Sequence, residues 1–220
     1  MGFYVFLFAV VFPARFGSAG SSIGSHALHI LAGLVPWITF QEVLGKSTSV
    51  ITGNRSLVKQ IVFPIEVLPV KTVMAAFLSQ LIATAVLFIF MAVTGQLKAS
   101  LLLVPILFAT QIFAMCGVCF LLSVLGAYFP DLRDIVQMFT TINLFATPIL
   151  YGPRELHPVI ETVLSVNPFS WMVWCYQDAY YFGYMAHPGA WIAFAIGSLL
   201  IYVCGFAVFV RIKQGLGNVI

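Results

Sequence analysis

Long apolar runs along this chain alternate with short polar interruptions. Runs free or nearly free of charge cover residues 1–14, 27–45, 72–94, 99–128, 135–151 and 188–210. A helix needs about 20 residues, with a range of about 17–25, to cross the hydrocarbon of a bilayer. Four runs meet that length outright. The run 135–151 lies at its lower limit and ends in TPILYGP, where Pro148 and Pro153 break the helix near a boundary. The first run, MGFYVFLFAVVFPA, is shorter and has no basic flank of the kind that precedes the apolar core of a signal peptide. It predicts a first membrane helix whose cytoplasmic beginning is short or cut off, with a signal peptide as the alternative. The pattern as a whole predicts an all-α integral membrane protein with six transmembrane helices in one domain over residues 1–220.

Two polar interruptions stand out. In GNRSLVKQIVFPIEVLPVK, residues 53–71, Leu57, Val58, Ile61 and Val62 gather on one helical face while Arg55 and Lys59 lie i,i+4 on another. Asn54 or Ser56 supplies an N-cap, Pro64 ends the helix, and Pro69 falls near the first turn of the next span. The result is a short amphipathic helix along the cytoplasmic surface, chemically suited to anchoring at headgroup level or to docking a partner.

The second interruption, residues 152–187, opens on a proline-punctuated turn and an apolar stretch with Val159, Ile160, Val163 and Leu164. It breaks at Asn167 and Pro168 and resumes with Trp171, Trp174, Tyr176, Tyr180, Tyr181, Phe182 and Tyr184. Two short helices forming a re-entrant hairpin at the outer boundary account for this pattern, since irregular backbone at that depth must be packed on protein or line a cavity. The aromatics fit an interfacial belt, and they equally fit stacking against sugar rings.

Composition excludes a soluble domain. The chain is 61% hydrophobic and 8% charged, against roughly 25% charged in ordinary soluble domains. Its net charge of +3 is dispersed over short loops, which argues against a nucleic-acid surface. Placed on the predicted spans, Lys46, Arg55, Lys59, Lys71, Arg133, Arg211 and Lys213 share the side of the termini, against Arg15, Lys98 and Arg154 opposite. That bias sets both termini in the cytoplasm.

The outer loop RFGSAGSSIGSH is Gly/Ser-rich and flexible in composition. Cys116 and Cys119 spell C-x-x-C inside an apolar helix and read as small packing residues. His26, His29, His157 and His187 form no metalloenzyme signature, and no phosphate-binding glycine loop is present. Glu42 and Asp178 are the carboxylates near span boundaries, too few for an ion path.

The run LAGLVPWITFQEVLGKSTSVITGNRSLVKQIVFPIEVLPV, residues 31–70, resembles the permease subunits of ATP-binding-cassette exporters of the ABC-2 type, in their polysaccharide and O-antigen branch. FPDLRD, residues 129–134, resembles the inner loop before the fifth span, with Pro130 in place of a basic residue. TPILYGP and NPFSWMVWCYQDAYYFG resemble that family's fifth-span exit and the aromatic segment before its last helix. The family usually begins with a cytoplasmic amphipathic helix, and this chain starts inside a hydrophobic run, so the resemblance implies either a truncated start or a protein without that helix.

The resemblance implies a transmembrane permease domain that is no enzyme itself. It implies a homodimer in the bacterial inner membrane, joined to two copies of a separate ATPase subunit that binds ATP and Mg, with no cofactor or metal in this chain. It implies ATPase coupling through Asn54, Arg55, Leu57, Lys59, Phe63 and Pro64, with nucleotide-driven closure of the ATPases passed as rigid-body motion to the second and third spans. The substrate implied is a lipid-linked polysaccharide, O-antigen or a similar glycan, moved among membrane lipids with no nucleic acid involved.

A long, polar and mostly uncharged substrate calls for aromatic and hydroxyl lining. Candidates are Phe3, Tyr4, Phe8, Trp37, Phe40, Phe139, Asn143, Phe145 and Tyr151, with Trp171, Trp174 and Tyr181 as a periplasmic gate. The alternatives are an ABC-2 exporter of a drug or lipid, a membrane-embedded enzyme modifying a lipid or glycan, and a scaffold.

Overall fold

The computed structural model describes residues 23–54, 56, 64–151, 162 and 164–216. Among them every regular element is helical. In chain order these are α1 (Ile23–Ser47), α2 (Val67–Val93), α3 (Val104–Tyr128, entered through a 3-10 turn at Ala99–Leu103), α4 (Leu132–Phe145), α5 (Pro168–Gln177, continued by a π turn at Asp178–Phe182) and α6 (Pro188–Leu216). A further 3-10 turn covers Thr52–Asn54. The expected first span at residues 1–14, most of the inner amphipathic helix (55 and 57–63) and most of the first limb of the outer hairpin (152–161 and 163) lie outside the described residues.

Four helices have the length and composition to cross a membrane, over Ala27–Ser47, Val67–Val93, Ala99–Tyr128 and Pro188–Lys213. They match four of the predicted runs, extended by a few residues at the ends. The run expected to span over 135–151 behaves differently. Its helix begins earlier, at Leu132, and stops at Phe145 after 14 residues. At 1.5 Å per residue that is about 21 Å, short of the roughly 30 Å hydrocarbon.

The cause is local. Ala146 N–H closes the last turn on Ile142 O at 3.2 Å and Asn143 O at 3.1 Å. Pro148 then disfavours helix at Thr147 and brings no N–H of its own. Thr147 and Ile149 are nonetheless fully buried, so the turn folds back into protein rather than out to water.

The least apolar of the four spans is the most buried. Within its window α1 is 83% buried, against 22% for α6. In a bilayer the faces turned outward must match lipid, so polar groups belong to the helix surrounded by other helices. Helix α1 packs on α2, α3 and α5. A Cβ added at Gly33 would come within 2.9 Å of Val173 Cγ1, which fixes how closely α1 and α5 approach. The most extensive helix pair is α3 with α6. Here Gly117 and Gly205 face each other: a Cβ on Gly117 would lie 2.5 Å from the Ile201 backbone, and one on Gly205 would overlap the Gly117 carbonyl. Small residues that let backbones touch are the usual means of helix association in lipid.

Helix α5 is the described limb of the expected outer hairpin. Asn167 caps it, its Oδ1 accepting from Phe169 N at 3.1 Å, and Pro168 occupies the first turn, where a missing N–H costs nothing. The same side chain donates through Nδ2 to Asn143 Oδ1 at 2.8 Å and Ala146 O at 2.9 Å. One asparagine thereby joins the end of α4 to the start of α5.

Candidate functional site

Polar side chains collect in three layers through the bundle. At the end called inner after the expected topology, Glu66 precedes α2 and accepts a charged hydrogen bond from Lys213 near the end of α6. That bond, helped by the backbone at Glu66, holds the carboxyl below its ordinary pKa. Lys46 pairs with Glu42 at 2.6 Å along α1. Asn54 turns its amide back to Val50 O at 2.8 Å, closing the preceding turn. Pro64 is exposed just before α2. Of the remaining coupling candidates, Arg55, Leu57, Lys59 and Phe63 lie outside the described residues.

In the middle layer, Gln80 of α2, Gln111 of α3 and Tyr176 of α5 meet, each at most 1% exposed. Gln111 Oε1 accepts from Gln80 Nε2 at 2.8 Å and from the Tyr176 hydroxyl at 2.5 Å, and Gln111 Nε2 donates to Pro36 O of α1 at 3.2 Å. Four helices are thus linked at one amide.

The outer layer is denser. Asp178, 1% exposed, accepts from His187 N at 3.0 Å and Trp191 Nε1 at 3.0 Å, and its other oxygen meets His187 Nδ1 at 2.9 Å. These contacts tie the π turn to the entry of α6. The His187 ring stacks on Trp174, with centroids 5.2 Å apart and planes 9° from parallel. Lys98, between α2 and α3, donates to Tyr181 O, and its stem fills the space beside Gly183, whose φ of +85° only glycine takes without strain. Partial burial lowers the Lys98 pKa. Gln177 donates to Pro148 O at 2.9 Å and lies 3.3 Å from His29 Nε2, so the turn after α4 is held from α1 and α5 together.

The candidates for a sugar-lined path fall into two groups. Trp37 and Phe40 are buried, both edge-on to Phe169, and Asn143 is buried against Asn167. Phe139, Phe145 and Tyr151 are exposed on and after α4. Trp171, Trp174 and Tyr181 are half-buried; the Trp171 indole donates to Ser165 O at 2.8 Å, and Tyr181 lies under Lys98. Phe3, Tyr4 and Phe8 lie outside the described residues.

Helix α4 is distinctive because its exposed surface mixes Gln137 and Thr141 with those aromatics. The exposed surfaces of α3 and α6, between their ends, are apolar.

Sequence reasoning passed over Gln80, Gln111, His187 and Trp191. The signal for the first two was present, since each is a lone amide inside an apolar run. Nothing in the spacing of Asp178, His187 and Trp191 announced that the chain would fold them together.

A family model for ABC-2 type transporters matches residues 2–181. An O-antigen export system permease protein, RfbA, of Klebsiella pneumoniae is 25% identical over 219 residues, covering 99% of this chain and 82% of that protein. Its namesake from Myxococcus xanthus is 26% identical over 181 residues, 81% of this chain and 67% of the relative. A polysialic acid transport protein, KpsM, of Escherichia coli is 24% identical over 191 residues, 84% of this chain and 72% of the relative. With an all-helical architecture, four helices fit to span a bilayer and a family match over most of its length, this chain belongs to the ABC-2 type transporter family.

Proposed function

We propose that this chain is the permease subunit of an ATP-binding-cassette exporter that moves a lipid-linked polysaccharide across the bacterial inner membrane. The functions for which the relatives are named, O-antigen export and polysialic acid transport, support the glycan class. The observation that carries the reading is the exposed face of α4, where Gln137 and Thr141 line up with Phe145 at i, i+4 and i+8. With α4 taken to lie within the membrane in this reading, its exposed amide demands water, a partner or a polar cargo. A stripe that combines amides and hydroxyls with aromatic faces suits sugars, which hydrogen-bond at their edges and stack through their C–H faces.

In this reading the protein is a homodimer with two ATPase subunits, which hold the ATP and Mg. The six-crossing topology, in which α4 and the buried turn after it together make the fifth crossing, the cytoplasmic termini and the re-entrant outer hairpin belong to the same proposal. Residues 54–64 seat in the ATPase: Arg55 and Lys59 supply charge, Leu57 and Phe63 apolar contact, and Pro64 a rigid exit into α2. The path is lined by Phe139, Phe145 and Tyr151 with Phe3, Tyr4 and Phe8, while Trp37, Phe40 and Asn143 brace it from behind through Phe169 and Asn167. Trp171, Trp174 and Tyr181 stand at the outer mouth.

The test is ATP-dependent export of glycan by the complex of this chain with its co-purified ATPase. Replacing Gln137 by Leu and Thr141 by Val together is expected to cut export about tenfold or more while insertion holds, the scale of losing two buried-type hydrogen bonds to cargo. Unchanged export in that double variant sinks the α4 face. Absence of ATP-dependent glycan export by the unaltered complex sinks the function.

A further inference from the structure

Gln80, Gln111 and Tyr176 do more than fill a buried space. The Gln80 amide nitrogen donates to Gln111 Oε1 at 2.8 Å and to the Tyr176 hydroxyl at 3.2 Å, whereas Gln80 Oε1 is buried with no hydrogen-bond partner among the described residues. A buried acceptor left open in this way is costly and uncommon. It is also a spare seat for the Tyr176 proton. When α2 shifts against α5, turning the Gln80 amide over gives the hydroxyl a new acceptor as it leaves Gln111. The exchange gives the hydroxyl a bond to Gln80 Oε1 and gives up the two that Gln80 Nε2 donates, so the cluster has discrete arrangements rather than a range through which it stretches.

The two ends of this exchange sit on different elements. Helix α2 runs without a break from Glu66, bonded to Lys213, to Gln80, a rise of about 21 Å. On the other side, Tyr176 precedes the π turn whose Asp178, Tyr181 and Gly183 build the outer mouth. Gln111 is the hub, and its second bond, to Pro36 O, adds the central helix α1.

We infer that Gln111, with Gln80 and Tyr176, is a positioning cluster that transmits displacement of the inner end of α2 to the outer turn after α5. The inference rests on the export reading for its biological use, and its physical content is tested without the ATPase.

The chain in membrane vesicles carries Tyr184→Cys as an outer reporter, with the exposed Cys204 replaced by Ser; Cys116, Cys119 and Cys175 are buried. Alkylation of the reporter by a membrane-impermeant maleimide is timed with and without Glu66→Gln, which breaks the inner ion pair. Coupling predicts about a fivefold change in rate on Glu66→Gln. Adding Tyr176→Phe, which removes one hydroxyl and no volume to speak of, abolishes that change. A fivefold change that survives Tyr176→Phe overturns the inference, and so does a reporter indifferent to Glu66→Gln. If Tyr176→Phe inserts poorly, Gln80→Met repeats the test from the other helix.

In the full transporter, Tyr176→Phe is expected to lower glycan exported per ATP hydrolysed about fivefold with hydrolysis retained. An unaltered transporter that exports no glycan removes the export reading and leaves the vesicle result standing.

Discussion

The two ends of this bundle are fastened by opposite means. At the end that the proposed topology puts outside, a buried carboxylate, Asp178, accepts from His187 N and Trp191 Nε1 and meets His187 Nδ1 at 2.9 Å, with an indole stacked on the imidazole beside it. At the opposite end, the inner one in the proposed topology, a single ion pair between partly exposed groups, Glu66 with Lys213, joins α2 to α6, while Glu42 and Lys46 pair within α1. A saturated buried cluster defines one geometry, because every departure strands a donor or acceptor. A solvated ion pair contributes little and exchanges partners with ease. The difference separates an end whose contacts define one geometry from an end whose contacts yield more easily. It matches the proposed division between an outer mouth and an inner ATPase seat.

The sharpest way to break this contrast is at Asp178. Asp178→Ala leaves the His187 and Trp191 donors without an acceptor, and the expected loss is about 3 kcal/mol. Asp178→Asn keeps one accepting oxygen and is expected to lose about 1 kcal/mol. Thermal unfolding in detergent, followed by the monodisperse elution peak, reads both. Equal and small losses would mean the outer cluster is no stronger than the inner pairs.

Next in size is the contact that holds α6 in place between the two ends. Gly205→Leu drives a side chain into the Gly117 carbonyl, where no flexible group is available to yield. Overpacking of this kind costs about 1–3 kcal/mol. If Gly205→Leu is tolerated like a lipid-facing change, α3 and α6 are not fixed by their backbones, and the ion pairs at the inner end carry more than the comparison allows.

Much of the frame is legible in the sequence because the bilayer imposes a blunt rule. Twenty apolar residues in a row have few other fates, and the four long runs became the four spanning-length helices. The run over 135–151 shows where that rule stops. Ile149 is buried and Leu150 partly so, as hydropathy suggests, but burial inside protein and burial in lipid look alike, and only Pro148 hints that the helix ends first.

The aromatic outer segment was legible as a distinctive region, and its Asn167-Pro168 break is a true helix start. Its organising residue was not, because Asp178 is defined by partners nine and thirteen positions away across a π turn and a glycine in the left-handed region. Trp37 and Phe40 were chosen as lining for their chemistry, and their burial against Phe169 depends on an interhelix geometry that residue type does not encode.

The smallest effect concerns the inner pair, and its sign is as informative as its size. Hydrogen bonding from Lys213, and then the backbone at Glu66, lowers the Glu66 pKa in the folded chain relative to the unfolded one. The contribution is therefore complete above the ordinary glutamate pKa and is lost as pH falls through the lowered folded value. Both side chains are about a quarter to a third exposed, so screening holds the contribution of the pair to about 1 kcal/mol or less. Glu66→Gln is expected to lower stability near neutral pH by no more than that, to flatten the acid limb of the stability curve, and to leave the neutral difference smaller still in high salt. A loss as large as that of Asp178→Ala, or one indifferent to salt, would show that the inner end is fastened as firmly as the outer, and the contrast between a fixed mouth and a movable seat would fail.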